Sequence, residues 1–375
     1  MAAEPKLDEL GISNRSKVFR LIYSKDKISK QEIANELNLS LPTVASLLKE
    51  LYSLRVICKN GYFESTGGRK PFVISINENA KVAIGVEVLK ASVRIVAINL
   101  KGKILREVFY KIPFSASDHY YKQLGSLINS FADSLHLDEN EYLGVYLAVQ
   151  GLVSVSGDEI ISGDILGYTG TKLDAFQKHI NLPCRLFHDT ELAAFAELWN
   201  QPDIKNAVIL VLNQYLGGAL IINGDVYQGE KFSGCVIEHM RLIPNGRDCY
   251  CRHKGCFNTY CSAYSLEQDS GMKIEDFFVA LKNGNKEVEA IFNTFLENLA
   301  LGINNISMIV DCEFIIAGVM EKYLTEEHLQ KLSKLVKEAA AFDNIEFHYR
   351  HSVHGIKAAS RGAALKLISE FLNSI

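Results

Sequence analysis

Beyond residue 80 the chain runs twice through one order of elements, and few folds accommodate that. Three apolar stretches, 81–88, 93–99 and 104–110, read as successive strands, the last two joined by the turn Lys101-Gly102-Lys103. A helical stretch over 120–136 follows, then a strand over 142–149 ending at Gln150-Gly151, a helix over 174–180, a strand over 184–187 and a helix over 191–200. The second succession begins at Ala207, with strands over 207–212 and 219–222, the turn Asn223-Gly224-Asp225 and a polar loop. Helices over 286–308 and 326–341 then flank a strand at 312–317, and a helix over 358–375 ends the chain. The fold class is α/β: two duplicated lobes with a cleft between them, the place where small ligands usually bind.

The first eighty residues have another character. Helical signals cover 14–23, 30–37 and 41–54, with Ser29 and Glu32 placed for a capping box and Ser40 for a cap ahead of Pro42. Two short helices joined by the turn 38–40 form a helix-turn-helix, whose second helix enters the major groove of DNA. Ser40, Thr43, Ser46 and Lys49 sit away from its apolar face, Val44, Leu47, Leu48 and Leu51, and are the candidate contacts to bases and phosphates. Val56-Ile57-Cys58, an expected turn at Lys59-Asn60-Gly61, Tyr62-Phe63 and the strand 72–76 make a wing, with Arg69 and Lys70 near its tip to reach phosphate or minor groove. Residues 1–80 hold twelve Lys/Arg against nine Asp/Glu while the whole chain is at −4, so a mildly basic segment leads an acidic body. The expected partner is double-stranded operator DNA; a three-helix protein-interaction module is the other reading of the same pattern.

The polar loop of the second succession carries His239, Cys249, Cys251 and Cys256, spaced H-x9-C-x-C-x4-C among Pro244, Gly246 and Gly255. Three thiolates and an imidazole are a standard tetrahedral set for structural zinc, with no position left for a catalytic water. The other cysteines, 58, 184, 235, 261 and 312, are scattered, as suits a reducing compartment. No run reads as a membrane span: the most apolar, 207–222, is broken by Asn213, Gln214 and two glycines. The N-terminus is acidic without an apolar signal core, so the expected location is cytoplasmic, with no membrane partner.

At these residues the chain resembles the ROK family (repressors, open reading frames and sugar kinases) over nearly its full length. The segment Ser65 to Pro71 is similar to the S-x-G-G-R-x-P wing of the family's repressors. The His239 to Tyr260 loop is similar to the family's G-H-x9-C-x-C-x4-C signature with its following C-L-E-T-type segment, and Gly362-Ala363-Ala364 to the opening of its last helix. The resemblance implies a winged helix-turn-helix, here 1–78, joined to two actin-like, ribonuclease-H-type lobes: 79–203, completed by helix 358–375, and 204–357 with the zinc loop.

The departures from the family pattern bear on activity. Its kinases carry a D-x-G-G-T phosphate loop where this chain has Glu87-Val88-Leu89-Lys90-Ala91. The second phosphate loop reads Asn213-Gln214-Tyr215-Leu216-Gly217-Gly218, and the adenosine-side G-G-G reads Ala317-Gly318-Val319. With no glycine in the first loop and only part of the pattern kept in the other two, bulky side chains stand at three nucleotide contacts, so no ATP turnover is expected. The family's E-N-D reads Phe187-His188-Asp189, which keeps the aspartate that serves as general base in the kinases. Asp189 is read as a ligand contact or as an N-cap for the helix 191–200, two roles it could serve at the same time. The family's G-E-x-G-H reads Cys235-Val236-Ile237-Glu238-His239, and the Glu of the C-L-E-T segment is Asn258, so two acidic sugar contacts are gone. Glu238 either supplies a carboxylate from a shifted position or is merely solvated or salt-bridged. The candidate ligand set is His188, Asp189, Glu238 and His239.

The expectation is a repressor of carbohydrate-related genes that is not an enzyme and binds operator DNA as a homodimer or homotetramer. Its degenerate body would sense a carbohydrate-like effector or a partner. Two further readings stay open, a sugar kinase with an accessory DNA-binding segment and a repressor whose body is only an oligomerisation scaffold.

Overall fold

The computed structural model describes residues 13–64, 70–230, 234–342 and 347–375. Caps set the first helices. The side chains of Ser13 and Ser40 accept from the amides of Ser16 and Thr43 to open α1 (Asn14–Ser24) and α3 (Leu41–Ser53), and Ser29 with Glu32 closes the capping box of α2 (Lys30–Glu36). Phe19, Ile22, Ile33, Val44, Leu48 and Leu51 bury together beneath them. The antiparallel hairpin β1 (Ile57–Tyr62) and β2 (Phe72–Ile76) follows, with Ile28 bridging Ile74 as a third edge.

One expectation is corrected here. Lys59-Asn60-Gly61 is no turn, because β1 runs through it. The ladder slips between Lys59 and Tyr62, and Gly61 takes φ 81°, which marks a bulge. Residues 65–69, Arg69 among them, lie outside the described residues.

The first lobe comprises β3 (Val82–Val88), β4 (Val93–Asn99), β5 (Ile104–Tyr110), α4 (Asp118–Asp133), β6 (Tyr142–Val149), the small hairpin β7 (Leu152–Val153) and β8 (Ile160–Ser162), α5 (Asp174–Gln177), β9 (Cys184–His188) and α6 (Asp189–Asn200). The second comprises β10 (Ala207–Leu212), β11 (Leu216–Ile222), β12 (Asp225–Tyr227), α7 (Ala263–Ser270), α8 (Ile274–Lys282), α9 (Lys286–Ser307), β13 (Glu313–Ala317), α10 (Glu326–Ala339) and β14 (Tyr349–His351). The two five-stranded sheets have the orders β5-β4-β3-β6-β9 and β12-β11-β10-β13-β14. In each, an antiparallel meander is extended by two parallel strands, so one topology occurs twice.

The last helix, α11 (Ala358–Ser374), returns to the first lobe and joins its core through Ala363, Ala364 and Ile368. Small residues let it lie against backbone. A Cβ on Gly85 would sit 2.0 Å from the carbonyl oxygen of Ser360, and one on Gly362 would sit 1.8 Å from that of Leu192 on α6. The N-terminal head is also built into this core. The Tyr23 hydroxyl donates to the Leu100 carbonyl (2.8 Å), Lys101 Nζ donates to the Tyr23 carbonyl (2.7 Å), and Arg15 Nε donates to the Ile375 carbonyl (2.9 Å). Apolar packing runs unbroken from Phe19 and Ile22 through Leu100 to Leu372 and Ile375.

Candidate functional site

The ends of β6, β9 and β10 and the start of α6 face one another across the interlobe cleft. Asp189 is the first residue of α6, and His188 occupies the capping position without a side-chain cap. The N-cap reading of Asp189 is therefore corrected. Its Oδ1 accepts from the Thr190 amide at 2.9 Å, and the carboxylate faces a cavity of about 110 Å³. His188, Asn213, Glu238, His239 and Tyr250 line the same cavity, so all four candidate ligand residues meet there.

Burial controls the protonation of this group. It lowers the His188 imidazole to about 4, so the 3.5 Å contact with Asp189 is no ion pair near neutral pH. Burial, helped by the nearby Glu87, lifts the Asp189 carboxyl from 3.8 to about 7. Burial likewise lifts Glu238 to about 8. Glu238 Oε2 has no hydrogen-bond partner among the described residues. Of its two readings, the shifted carboxylate in the cleft is the one this geometry favours.

A pH dependence follows for Asp189. Between pH 3.8 and about 7 the folded chain keeps a proton that the unfolded chain releases. This contribution is complete below the lower value and lost as pH rises through the upper one. Asp189→Asn is expected to flatten the fall in stability between about pH 5 and 8, measured by urea unfolding. A fall of unchanged steepness would remove Asp189 from its cause.

The other end of the cleft is nearly closed. Only about 20 Å³ remains among Glu87, Asp189, Asn213, Ala317, Gly318 and Ile356. The Asn213 side chain accepts from the Val319 amide (2.8 Å), its carbonyl accepts from Ala263, and the Leu212 carbonyl accepts from Met320. Glu87 is bound to Arg94 at 2.9 Å, and Lys90 lies across the cleft over the Tyr215 ring, 5.9 Å from its centre. A wider groove of about 230 Å³ lies between α6, α11 and β12, and its Glu191 and Lys366 are engaged with Gln228 and Glu370.

One donor atom each from His239, Cys249, Cys251 and Cys256 gathers within 4.8 Å of the others. The Cys249 Sγ–His239 Nδ1 separation is 3.7 Å and that of Cys251 Sγ–Cys256 Sγ is 3.6 Å. A zinc tetrahedron with Zn–S near 2.3 Å has edges of roughly 3.5–3.8 Å, so the donors fit that ion. The loop is closed by close approach: Gly255 has φ 78°, and a Cβ there would lie 1.7 Å from the Ile243 carbonyl oxygen. Next to the cluster, Phe257 packs against Gly302 of α9, and Asn258 Oδ1 accepts from the Leu216 amide at 2.6 Å. Asn258 thus anchors β11. The metal loop reaches the cavity directly through His239 and Tyr250, whose rings lie 5.0 Å apart. His253, which the sequence pattern does not single out, hangs beside Cys251 at 3.8 Å.

On α3 the side chains of Ser40, Thr43, Ser46 and Lys49 are exposed while Val44, Leu48 and Leu51 are buried. Ser40 is partly committed, as its hydroxyl caps the helix and lies 2.8 Å from that of Thr43. Lys70 is exposed at the start of the returning strand segment. Among the described residues no helix is long and apolar enough to cross a membrane.

Comparison with known proteins agrees with this architecture. A winged helix-turn-helix DNA-binding pattern matches residues 13–57 and the ROK family pattern matches residues 83–370. The chain is 22% identical to a putative xylose repressor of Caldicellulosiruptor sp. (strain Rt8B.4), over 96% of each chain. It is 25% identical to the DNA-binding transcriptional dual regulator NagC of Escherichia coli K12, over 68% of this chain and 64% of that one. Its fold is similar to that of a ROK family transcriptional regulator homologous to the E. coli MLC protein (TM-score 0.77, 20% identity, 96% of each chain). It is also similar to that of a ROK family glucokinase from Streptomyces griseus solved with glucose and AMPPNP (TM-score 0.68, 17% identity, 76% of this chain and 98% of that one). With more than three quarters of its length matched and a DNA-binding head in front, the chain belongs to the ROK family.

Proposed function

We propose that this chain is a cytoplasmic DNA-binding transcriptional regulator, a repressor of carbohydrate-related genes whose body binds a sugar-like effector without phosphorylating it. The observation that carries the reading is the pairing of an exposed reading face on α3 with a cleft open at its Asp189 end and filled at its nucleotide end. The repressor names of its relatives support the same reading. A structural zinc held by His239, Cys249, Cys251 and Cys256 would fix the loop that walls the effector cavity. The assembly would be a homodimer or homotetramer, since operators bound by helix-turn-helix proteins mirror a two-fold axis.

On DNA, Thr43 and Ser46 read bases while Lys49, Arg69 and Lys70 meet phosphate. Thr43→Ala or Ser46→Ala is expected to relax sequence preference at single positions. Lys49→Ala, Arg69→Ala or Lys70→Ala is expected to weaken binding on all sequences and reduce the log–log salt slope by about one. Footprinting and titration across salt check both, and unchanged affinity in all five variants would sink this docking.

The kinase reading is disfavoured by the Asn213–Val319 and Leu212–Met320 hydrogen bonds, which tie the second phosphate loop to the adenosine-side loop across the space a nucleotide would need. Hexose-dependent ADP release from the purified chain would reverse the ranking.

A further inference from the structure

We propose that the cleft ligand carries a protonated primary amine, as a hexosamine does, and that Asp189 and Glu238 receive it. The inference rests on the reading of the cleft as an effector site and deepens it by naming the ligand's chemical class.

The ionisable lining of the cavity leans acidic. Its carboxylic acids are Asp164, Asp189 and Glu238, and among the described residues no Lys or Arg lines it. Of the first-lobe cations near the cleft, Arg94 is occupied by Glu87 at 2.9 Å and by the Ile356 carbonyl, and Lys90 lies over the outer Tyr215 ring, 5.9 Å from its centre. Among the described residues Asp189 accepts from backbone amides, that of Thr190 at 2.9 Å, and meets the neighbouring His188, with no cation beside it. Glu238 is 8% exposed, and among the described residues its buried Oε2 meets no donor. Zinc bound by three thiolates would leave one net negative charge beside these carboxylates. Buried acidic groups are costly unless a cation or a set of donors meets them.

A metal ion does not fit this pair. Among the described residues, the His239 and cysteine set is the group of three or more potential ligands whose donor atoms gather within 4.8 Å, and Asp189 and Glu238 have no third ligand at that range. An organic cation needs no such cage. An ammonium brings three donors and a full charge, whereas a hydroxyl brings one donor and none. Tyr250, whose ring lies 5.5 Å from that of the Lys90-covered Tyr215, adds an aromatic face that attracts cations. At about 10–15 Å³ per water, the cavity of about 110 Å³ has the room of one monosaccharide.

Zinc-loaded full-length protein would be titrated calorimetrically with D-glucosamine, D-galactosamine and D-mannosamine, each beside its parent hexose and its N-acetyl derivative. The expected result is at least one hexosamine binding tenfold or more tighter than both neutral counterparts, with a matching thermal shift. Glu238→Gln and Asp189→Asn are expected to abolish that preference while zinc content and circular dichroism stay as in the parent. If a neutral hexose or N-acetyl sugar binds as tightly, the amine inference falls and the effector reading stands. If no sugar of the panel binds, both fall. If the preference survives in both variants, the assignment to these two carboxylates is overturned. The acetylated sugars keep the test decisive even where a variant fails to fold, because acetylation removes the charge from the ligand instead.

Discussion

Stripping the metal from the His239, Cys249, Cys251 and Cys256 centre is expected to lower the melting temperature of the protein by more than about 10 °C. Structural zinc binds with an apparent free energy of about 10–16 kcal/mol in small finger peptides. Each kcal/mol moves the transition of a domain of 150–250 residues by about 2–4 °C, so a fraction of that energy suffices. The consequence here reaches beyond the loop. Cys256 is followed by Phe257, which fills the space over Gly302 of α9, and by Asn258, which holds the Leu216 amide of β11. Releasing the loop frees an anchor on a helix and another on a strand of the second sheet. Chelation followed by calorimetry, with metal content measured alongside, reads the effect. Cys256→Ser should reproduce it, while Cys184→Ser, in the first lobe and outside the cluster, should leave one zinc per chain in place. A protein that holds no zinc when purified, or melts unchanged without it, would remove the metal from the account.

Gly362→Ala is expected to cost about 3 kcal/mol, near the top of the overpacking range, for the addition of one methyl group. Helix propensity favours alanine by about 1 kcal/mol, so the loss comes from contact. The new Cβ would lie 1.8 Å from the Leu192 carbonyl oxygen, and 2.5 Å from its carbon, both backbone atoms of α6 that cannot rotate aside. Either α6 or α11 must move as a body. Gly85 shows the same closeness to Ser360, so α11 is held on two sides. Urea unfolding of the variant measures the cost. A loss under about 0.5 kcal/mol, the range of a surface substitution, would mean that the two helices adjust freely and that this seam is pliable.

What could be read from the chain, and what could not, follows the distance over which each signal acts. The caps at Ser29 and Ser40 and eight of the ten strands in the two large sheets rest on neighbours in sequence and appear where the pattern places them, whereas β12 and β14, three residues each, are too short to show in it. The cluster of His239, Cys249, Cys251 and Cys256 is legible for the same reason, since its spacing is itself the signal. Lys59-Asn60-Gly61 misleads because the turn signature and the bulge signature share a glycine at positive φ. The β7–β8 hairpin has too few residues to show a period. The directions of Asp189, Glu238 and Asn258 depend on which backbone amides the fold brings near, and so does the fully buried Glu197, which accepts from the Ser352 hydroxyl and the Val353 amide. None of that is written in local pattern.

The joint between Tyr23, Leu100 and Lys101, with Arg15 set on Ile375, makes the winged head a fixed prong of the body. A head on a loose tether could reach half-sites over a range of separations, and its search would be limited by chain entropy. A fixed prong makes a symmetric pair of chains into a caliper. An operator with a few base pairs inserted at its centre would then have to be met by twisting and bending the DNA, and the affinity lost on such operators would measure the stiffness of the double helix.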